Sequence, residues 1–178
     1  MKIFGIIILA ALFSAPLAAQ PVNQTITDPR LNREVLFGYC DREGLMTGEM
    51  GETYNLNYDE YQPEAQVLER LGPLLKKARI LVVLGSWCSD SQEQVPRFFK
   101  ILDQCGYKVS KMKMICVNRD KLAGEIELSQ YHIERVPTFI FLKKGKELGR
   151  IVEIPVVSLE QDMVNILAGG RQPSEVSK

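Results

Sequence analysis

Hydrophobic spacing changes several times along the chain, and each change marks a predicted element. The stretch EVLFGYC (34–40) alternates enough for a strand, with Val35, Phe37 and Tyr39 on one face. Gly44, Gly48 and Gly51 then predict a loop, and the polar residues 21–33 before the strand predict a flexible lead-in. Tyr54, Tyr58 and Tyr61 follow at helical spacing, a stripe that ordinarily means packing. Pro63 suits the first turn of a helix, and Val67, Leu68, Leu71, Leu74, Leu75 and Ala78 keep a helical period that Gly72-Pro73 should bend or break. RILVVLGS (79–86) is continuously apolar and β-branched, as a strand buried on both faces must be.

Beyond residue 88 the helical period returns, with Val95, Phe98, Phe99 and Leu102 on one face and a stop near Gly106. KMKMICVNRD supplies a second buried strand, and Asp120 is placed to cap a helix running to about Tyr131. TFIFLKKGKELGRIVEI reads as two strands joined at Lys144-Gly145. Ser158 with Gln161 forms a capping box for a last helix whose apolar face is Leu159, Met163, Ile166 and Leu167, ended by Gly169-Gly170. The order implies an α/β sandwich in which a parallel βαβ half joins an antiparallel hairpin.

The first 20 residues stand apart. Lys2 precedes an apolar run from Ile3 to Phe13, and small residues Ala18 and Ala19 follow. This is the three-part pattern of a secretory signal, with an apolar core too short for a comfortable membrane span. Cleavage near Ala19 or Gln20 would leave a periplasmic or secreted protein with no stable span. The expected division is therefore signal peptide 1–20, N-terminal extension 21–61, and main domain 62–178. Lys+Arg and Asp+Glu both number 22, so the charge offers no case for nucleic acid or an anionic membrane.

Export changes how cysteines are read, because disulfides persist outside the cytosol. Cys40, Cys88, Cys105 and Cys116 all lie beyond the leader. Four thiols allow three complete pairings, and the sequence does not choose among them. Their spacing matches no metal-ligand pattern, and the single histidine, His132, is distant in sequence from every cysteine. His132 is expected to pack or hydrogen-bond at a helix end. No metal or organic cofactor is called for.

The stretch VVLGSWCSDSQEQVP (82–96) carries the candidate chemistry. Trp87-Cys88 ends a buried strand and opens a helix. Pro96 follows two turns into that helix, and Val136-Pro137-Thr138 precedes a terminal hairpin. In this combination, over about residues 64–170, the chain resembles the thioredoxin-like superfamily, and its leader and extension resemble exported bacterial members. The resemblance implies a three-layer sandwich around a mixed central sheet, with Cys88 as the redox nucleophile and Pro137 as a cis-proline beside it.

The attacking species in disulfide exchange is a thiolate. At a helix N-terminus, free N–H groups and the positive end of the dipole favour that anion. A cis-proline opposite would leave the preceding backbone open to pair with an extended substrate, making Val136, Pro137 and Thr138 the candidate substrate-binding residues. Trp87 would wall the sulfur.

The chain also departs from the family pattern. Where reductases carry a second cysteine it has Ser91, which can hydrogen-bond a thiolate but cannot form a disulfide. Asp90 places a negative charge near the thiol and opposes the dipole. Val82 occupies the strand position where many relatives bury a carboxylate. Cys105 falls at the far end of the same helix, roughly 25 Å from Cys88, beyond disulfide reach. Cys116 reads as a small buried hydrophobe, and a structural Cys105–Cys116 bridge stays open without support in the pattern. Cys40, on a segment expected to be flexible, is then the candidate resolving thiol. Two functions remain open: exchange through the single thiol Cys88 with protein thiols or disulfides or a small thiol, or a redox-inactive binding or chaperone-like module.

Overall fold

The computed structural model describes residues 21–169. The leader and its cleavage site lie outside the described residues. Among these, six strands form one mixed sheet in the order β1-β2-β4-β3-β5-β6. Strands β1 (Gln24–Asp28) and β2 (Arg33–Cys40) form an antiparallel pair, and β2 runs antiparallel to β4 (Met112–Cys116). At the centre β3 (Arg79–Leu84) is parallel to β4, and β5 (Thr138–Lys143) and β6 (Lys146–Val152) complete the sheet as an antiparallel hairpin. The parallel step and the hairpin are those that the hydrophobic runs imply.

Alternation along the strands builds two apolar clusters, one on each face. Val82, Leu84, Met114, Cys116, Phe139 and Phe141 face the helices, whereas Leu81, Val83, Ile115, Val117 and Ile140 face the other way. The first cluster is covered by α2 (Gly48–Glu60), α3 (Ala65–Leu75), α4 (Ser89–Gln104) and α5 (Leu159–Leu167). Phe98 of α4 is fully buried with its ring centroid 4.5 Å from that of Phe139. Loss of such a side chain to alanine ordinarily costs about 3–5 kcal/mol. Pro73 lies inside α3 but only two residues from its end, and α5 is capped at Ser158, whose hydroxyl accepts from the Gln161 N–H at 3.2 Å.

Three expectations fail for local physical reasons. The lead-in is not loose: it contains β1, and the carboxylate of Asp28 accepts three backbone N–H groups, from Arg30, Leu31 and Arg119. The glycine-punctuated loop is instead a short helix α1 (Arg42–Leu45) followed by α2. At Gly51 a Cβ would sit 2.4 Å from the Met46 carbonyl oxygen, so the glycine permits a close approach there. No α-helix forms over Asp120–Tyr131; that stretch holds only a 3-10 turn at Ser129–Tyr131. The Asp120 carboxylate that would have capped the helix instead meets Arg30 at 2.6 Å, and Lys121 and Gly124 take positive φ values of 62° and 68°. The second sheet face is thus covered by Ala123, Ile126, Leu128 and Ile133 from an irregular segment. His132, exposed and at φ 48°, ends that 3-10 turn.

The tyrosine stripe packs. Tyr54 is buried, and the Arg42 guanidinium lies 5.0 Å from the ring centroids of both Tyr58 and Phe99. Arg42 and the Tyr58 hydroxyl both reach Asp103 at 2.7 Å, tying α1, α2 and α4 together.

Candidate functional site

Cys88 is the N-cap of α4, with extended backbone (φ −94°, ψ 125°). The apolar run of β3 ends at Leu84, and Gly85-Ser86-Trp87 turn the chain into the helix. The Cys88 N–H closes this turn on the Gly85 carbonyl at 2.9 Å, and the Cys88 carbonyl accepts the first helical bond from the Gln92 N–H at 2.9 Å. The amides of the first helical turn beyond Cys88 have no intrahelical acceptor, so the sulfur stands at the positive end of a 16-residue helix. Asp90, half-buried in that first turn, brings the opposing charge that the sequence implies.

Across the site the Val136–Pro137 peptide is cis, and the Cys88 thiol donates to the Val136 carbonyl at 3.2 Å. The structure therefore brings Cys88 and Val136 into contact. Pro137 is buried beside them. Thr138 is fixed rather than open: its backbone is registered between Val83 and Val152, and its hydroxyl donates to the Arg135 carbonyl at 2.6 Å. Its neighbour Pro137 accepts from the Glu153 N–H at 2.7 Å, so the cis segment is held from the β6 side.

Trp87 is buried in the second-face cluster against which Cys88 packs, and its Nε1–H donates to the Val117 carbonyl at 2.8 Å. Gly85 makes this possible, because a Cβ there would fall 2.6 Å from the indole ring. Ser91 is fully buried, and its oxygen accepts from the Gly85 N–H at 3.3 Å. The residue in place of a second cysteine thus closes the turn that presents the first. Val82 is buried among apolar side chains of the helical face.

Several neighbours of the site gave no signal in the sequence. The Arg119 guanidinium lies 4.7 Å from the Trp87 ring centroid, and Arg33 donates to the Trp87 carbonyl at 3.4 Å. Gln92 donates to the Ser86 carbonyl at 2.8 Å, while the Ser86 hydroxyl accepts the Leu36 N–H at 3.0 Å. Arg33 opens β2 and Arg119 lies in the turn after β4, and only the assembled sheet brings them to Trp87.

The remaining thiols lie elsewhere. Cys40 is not on a flexible segment and does not approach Cys88. It ends β2 on the helix-covered face, with its sulfur 2.9 Å from that of Cys116. The expected resolving thiol is a free thiol that meets the free thiol of Cys116, on the opposite face of the sheet from the cluster that receives Cys88. Cys105 caps the far end of α4, as its position along the helix implies, and burial pushes its thiol up to about 11.

The mixed six-stranded sheet with its terminal hairpin and helical layer, and Cys88 at the mouth of α4 facing the Val136 carbonyl, are the arrangement of a thioredoxin-like fold. The sequence model of the thioredoxin family matches residues 44–165, and the chain belongs to that family. It is 34% identical over 98 residues to the chloroplastic thioredoxin-like protein HCF164 of Arabidopsis thaliana, a match covering 54% of this chain and 36% of that protein. It is 29% identical over 89 residues to thioredoxin H-type 1 of Nicotiana tabacum, covering 50% of this chain and 66% of the relative. A crystal structure of a protein of unknown function from Pseudomonas aeruginosa aligns over 68% of this chain and 74% of its own, with 20% identity and a TM-score of 0.44. No described helix is long and apolar enough to cross a membrane.

Proposed function

We propose that the protein is an exported thiol–disulfide exchange protein that works through the single thiol Cys88. The observation that carries this reading is the Cys88 sulfur at the N-terminus of α4, 3.2 Å from the Val136 carbonyl. The Cys88 thiolate attacks one sulfur of a client or small-molecule disulfide. A mixed disulfide forms, and the other sulfur leaves as a thiolate. Ser91 has no sulfur to complete the exchange, so a second thiol must attack the mixed disulfide and regenerate Cys88. That thiol is a client cysteine other than the one just released, giving a new client disulfide and so isomerisation, or a small thiol, giving thiol transfer. The Val136 backbone, with Pro137 and Thr138 held behind it, is the edge against which an extended client segment would lie.

The test is the reactivity of Cys88 toward an alkylating reagent at neutral pH, together with capture of its mixed disulfides in cells. Alkylation faster than a free thiol, with covalent partners lost in Cys88→Ala, is the expected result. Alkylation no faster than a free thiol, with no partners trapped, removes the proposal. N-terminal sequencing of protein from the producing cell tests export, with a start near residue 20 expected.

A second reading, a client-binding module without redox work, draws on the apolar rim beyond β6. Ile154, Val156 and Val157 are exposed just past the residue that bonds Pro137. In that case Cys88→Ala keeps the cellular role and a charged replacement of Trp87 or Pro137 loses it.

A further inference from the structure

The closest pair of thiols in the fold has no part in the site at Cys88. Cys40 closes β2 and Cys116 closes β4, strands that pair antiparallel with Gly38 opposite Cys116 and Cys40 opposite Met114. The two cysteines are therefore diagonal neighbours on one face, and both side chains belong to the helix-covered core. Their sulfurs lie 2.9 Å apart, with Cys40 8% exposed and Cys116 fully buried. An S–S bond of about 2.05 Å needs the sulfurs to close by less than an ångström.

From this geometry we infer that Cys40 and Cys116 form an intrachain disulfide that staples the N-terminal hairpin β1–β2 to the central strand β4. The staple joins residues 76 apart in sequence, across the side of the sheet where the chain first enters it. The reaction converts two thiols to one disulfide, giving up two electrons and two protons to a disulfide oxidant, either oxidised glutathione or a protein disulfide, which leaves as two thiols.

The pair's surroundings argue for structure rather than turnover. Cys116 is fully buried, and burial with the neighbouring Cys40 sulfur pushes its thiol well above its ordinary value, so the folded Cys116 is a poor nucleophile. Oxidation therefore belongs to folding, before the helices close over this face, and the finished bond is shielded from reductants. The inference does not depend on the role of Cys88, and it removes Cys40 from the thiols that could resolve a mixed disulfide there.

The test is refolding of the reduced chain in a glutathione redox buffer, followed by alkylation and non-reducing peptide mapping. It is run on the wild type and on Cys88→Ala. The expected map links the Cys40 and Cys116 peptides in both proteins and finds Cys105 alkylated. A strong reductant able to enter on partial unfolding should then lower Tm by about 10 °C. In Cys40→Ala that reductant should have no effect on Tm. A map with Cys40 and Cys116 both alkylated, or with Cys40 joined to Cys88 or Cys105, overturns the inference. The wild-type map decides alone if Cys40→Ala does not fold.

Discussion

The indole N–H of Trp87 donates to the carbonyl of Val117 at 2.8 Å, and the ring packs against the backbone of Gly85. The residue beside the candidate nucleophile is thereby anchored to the segment just past β4, and the anchor depends on a missing side chain. Gly85→Ala puts a methyl group 2.6 Å from the ring, so the indole must move and give up its bond. Overpacking of this kind costs about 1–3 kcal/mol. Trp87 is the only tryptophan in the chain, so its emission should change in Gly85→Ala together with a lower denaturation midpoint. Unchanged emission and midpoint would show that the turn adapts without moving the ring.

Asp28 ties β1 to the segment after β4. Burial alone would raise its carboxyl, but N–H donors from Arg119, Leu31 and Arg30 outweigh this and hold it below its ordinary value. A lowered carboxyl stabilises the fold fully above the unfolded value and loses that contribution as pH falls through the folded value. Asp28→Ala should therefore melt earlier than wild type at neutral pH, and the gap in Tm should close well below pH 3.8. A gap that persists in acid would mean that the effect is not the charge.

Cys105 gives the opposite sign at the other end of the pH scale. Burial raises its thiol from 9.0 to about 11, so the folded protein holds this proton more tightly than the unfolded chain. The stabilisation is complete below pH 9 and drains away as pH rises towards 11. Thermal melts across that window should show a shallower alkaline decline in Cys105→Ala than in wild type. At neutral pH Cys105 should also be the slow thiol in alkylation, which makes it an internal reference for Cys88.

The elements that carry the site were legible because their signals are local. The continuous run RILVVL made β3, the period of Val95, Phe98, Phe99 and Leu102 made α4, and both lie where the pattern put them. The terminal hairpin and the Ser158 cap were equally plain. What the pattern missed depends on partners far along the chain. Ile26 is the one apolar residue of β1, whose register is supplied by β2 and whose end is fixed by Asp28. Asp120 offers a helix cap in sequence, but Arg30 takes its carboxylate. The thiol pairing was hidden for the same reason, since only the β2–β4 ladder brings Cys40 to Cys116. At the site itself, Cys88, Val136 and Pro137 were named from motif alone, while Arg33, Arg119 and Gln92 required the fold.

Ser91 separates a one-thiol site from a two-thiol site, and two substitutions distinguish its chemical role from its structural one. Its buried hydroxyl oxygen accepts the Gly85 N–H at 3.3 Å. Ser91→Ala leaves that donor without a partner, a loss of about 1–3 kcal/mol, and should lower the denaturation midpoint while Cys88 remains open to alkylation. Ser91→Cys places a thiol one helical turn from Cys88, on the same side of α4, with a soft sulfur in a pocket already shaped for a small side chain. Under a glutathione disulfide buffer this variant should lock Cys88 into an internal disulfide, and with a dithiol reductant it should reduce insulin far faster than wild type. If the introduced thiol forms no bond to Cys88 and insulin reduction stays at the wild-type rate, then α4 does not present the two positions as a redox pair. The absence of a second cysteine would then reflect the geometry of the turn rather than a single exchanged residue.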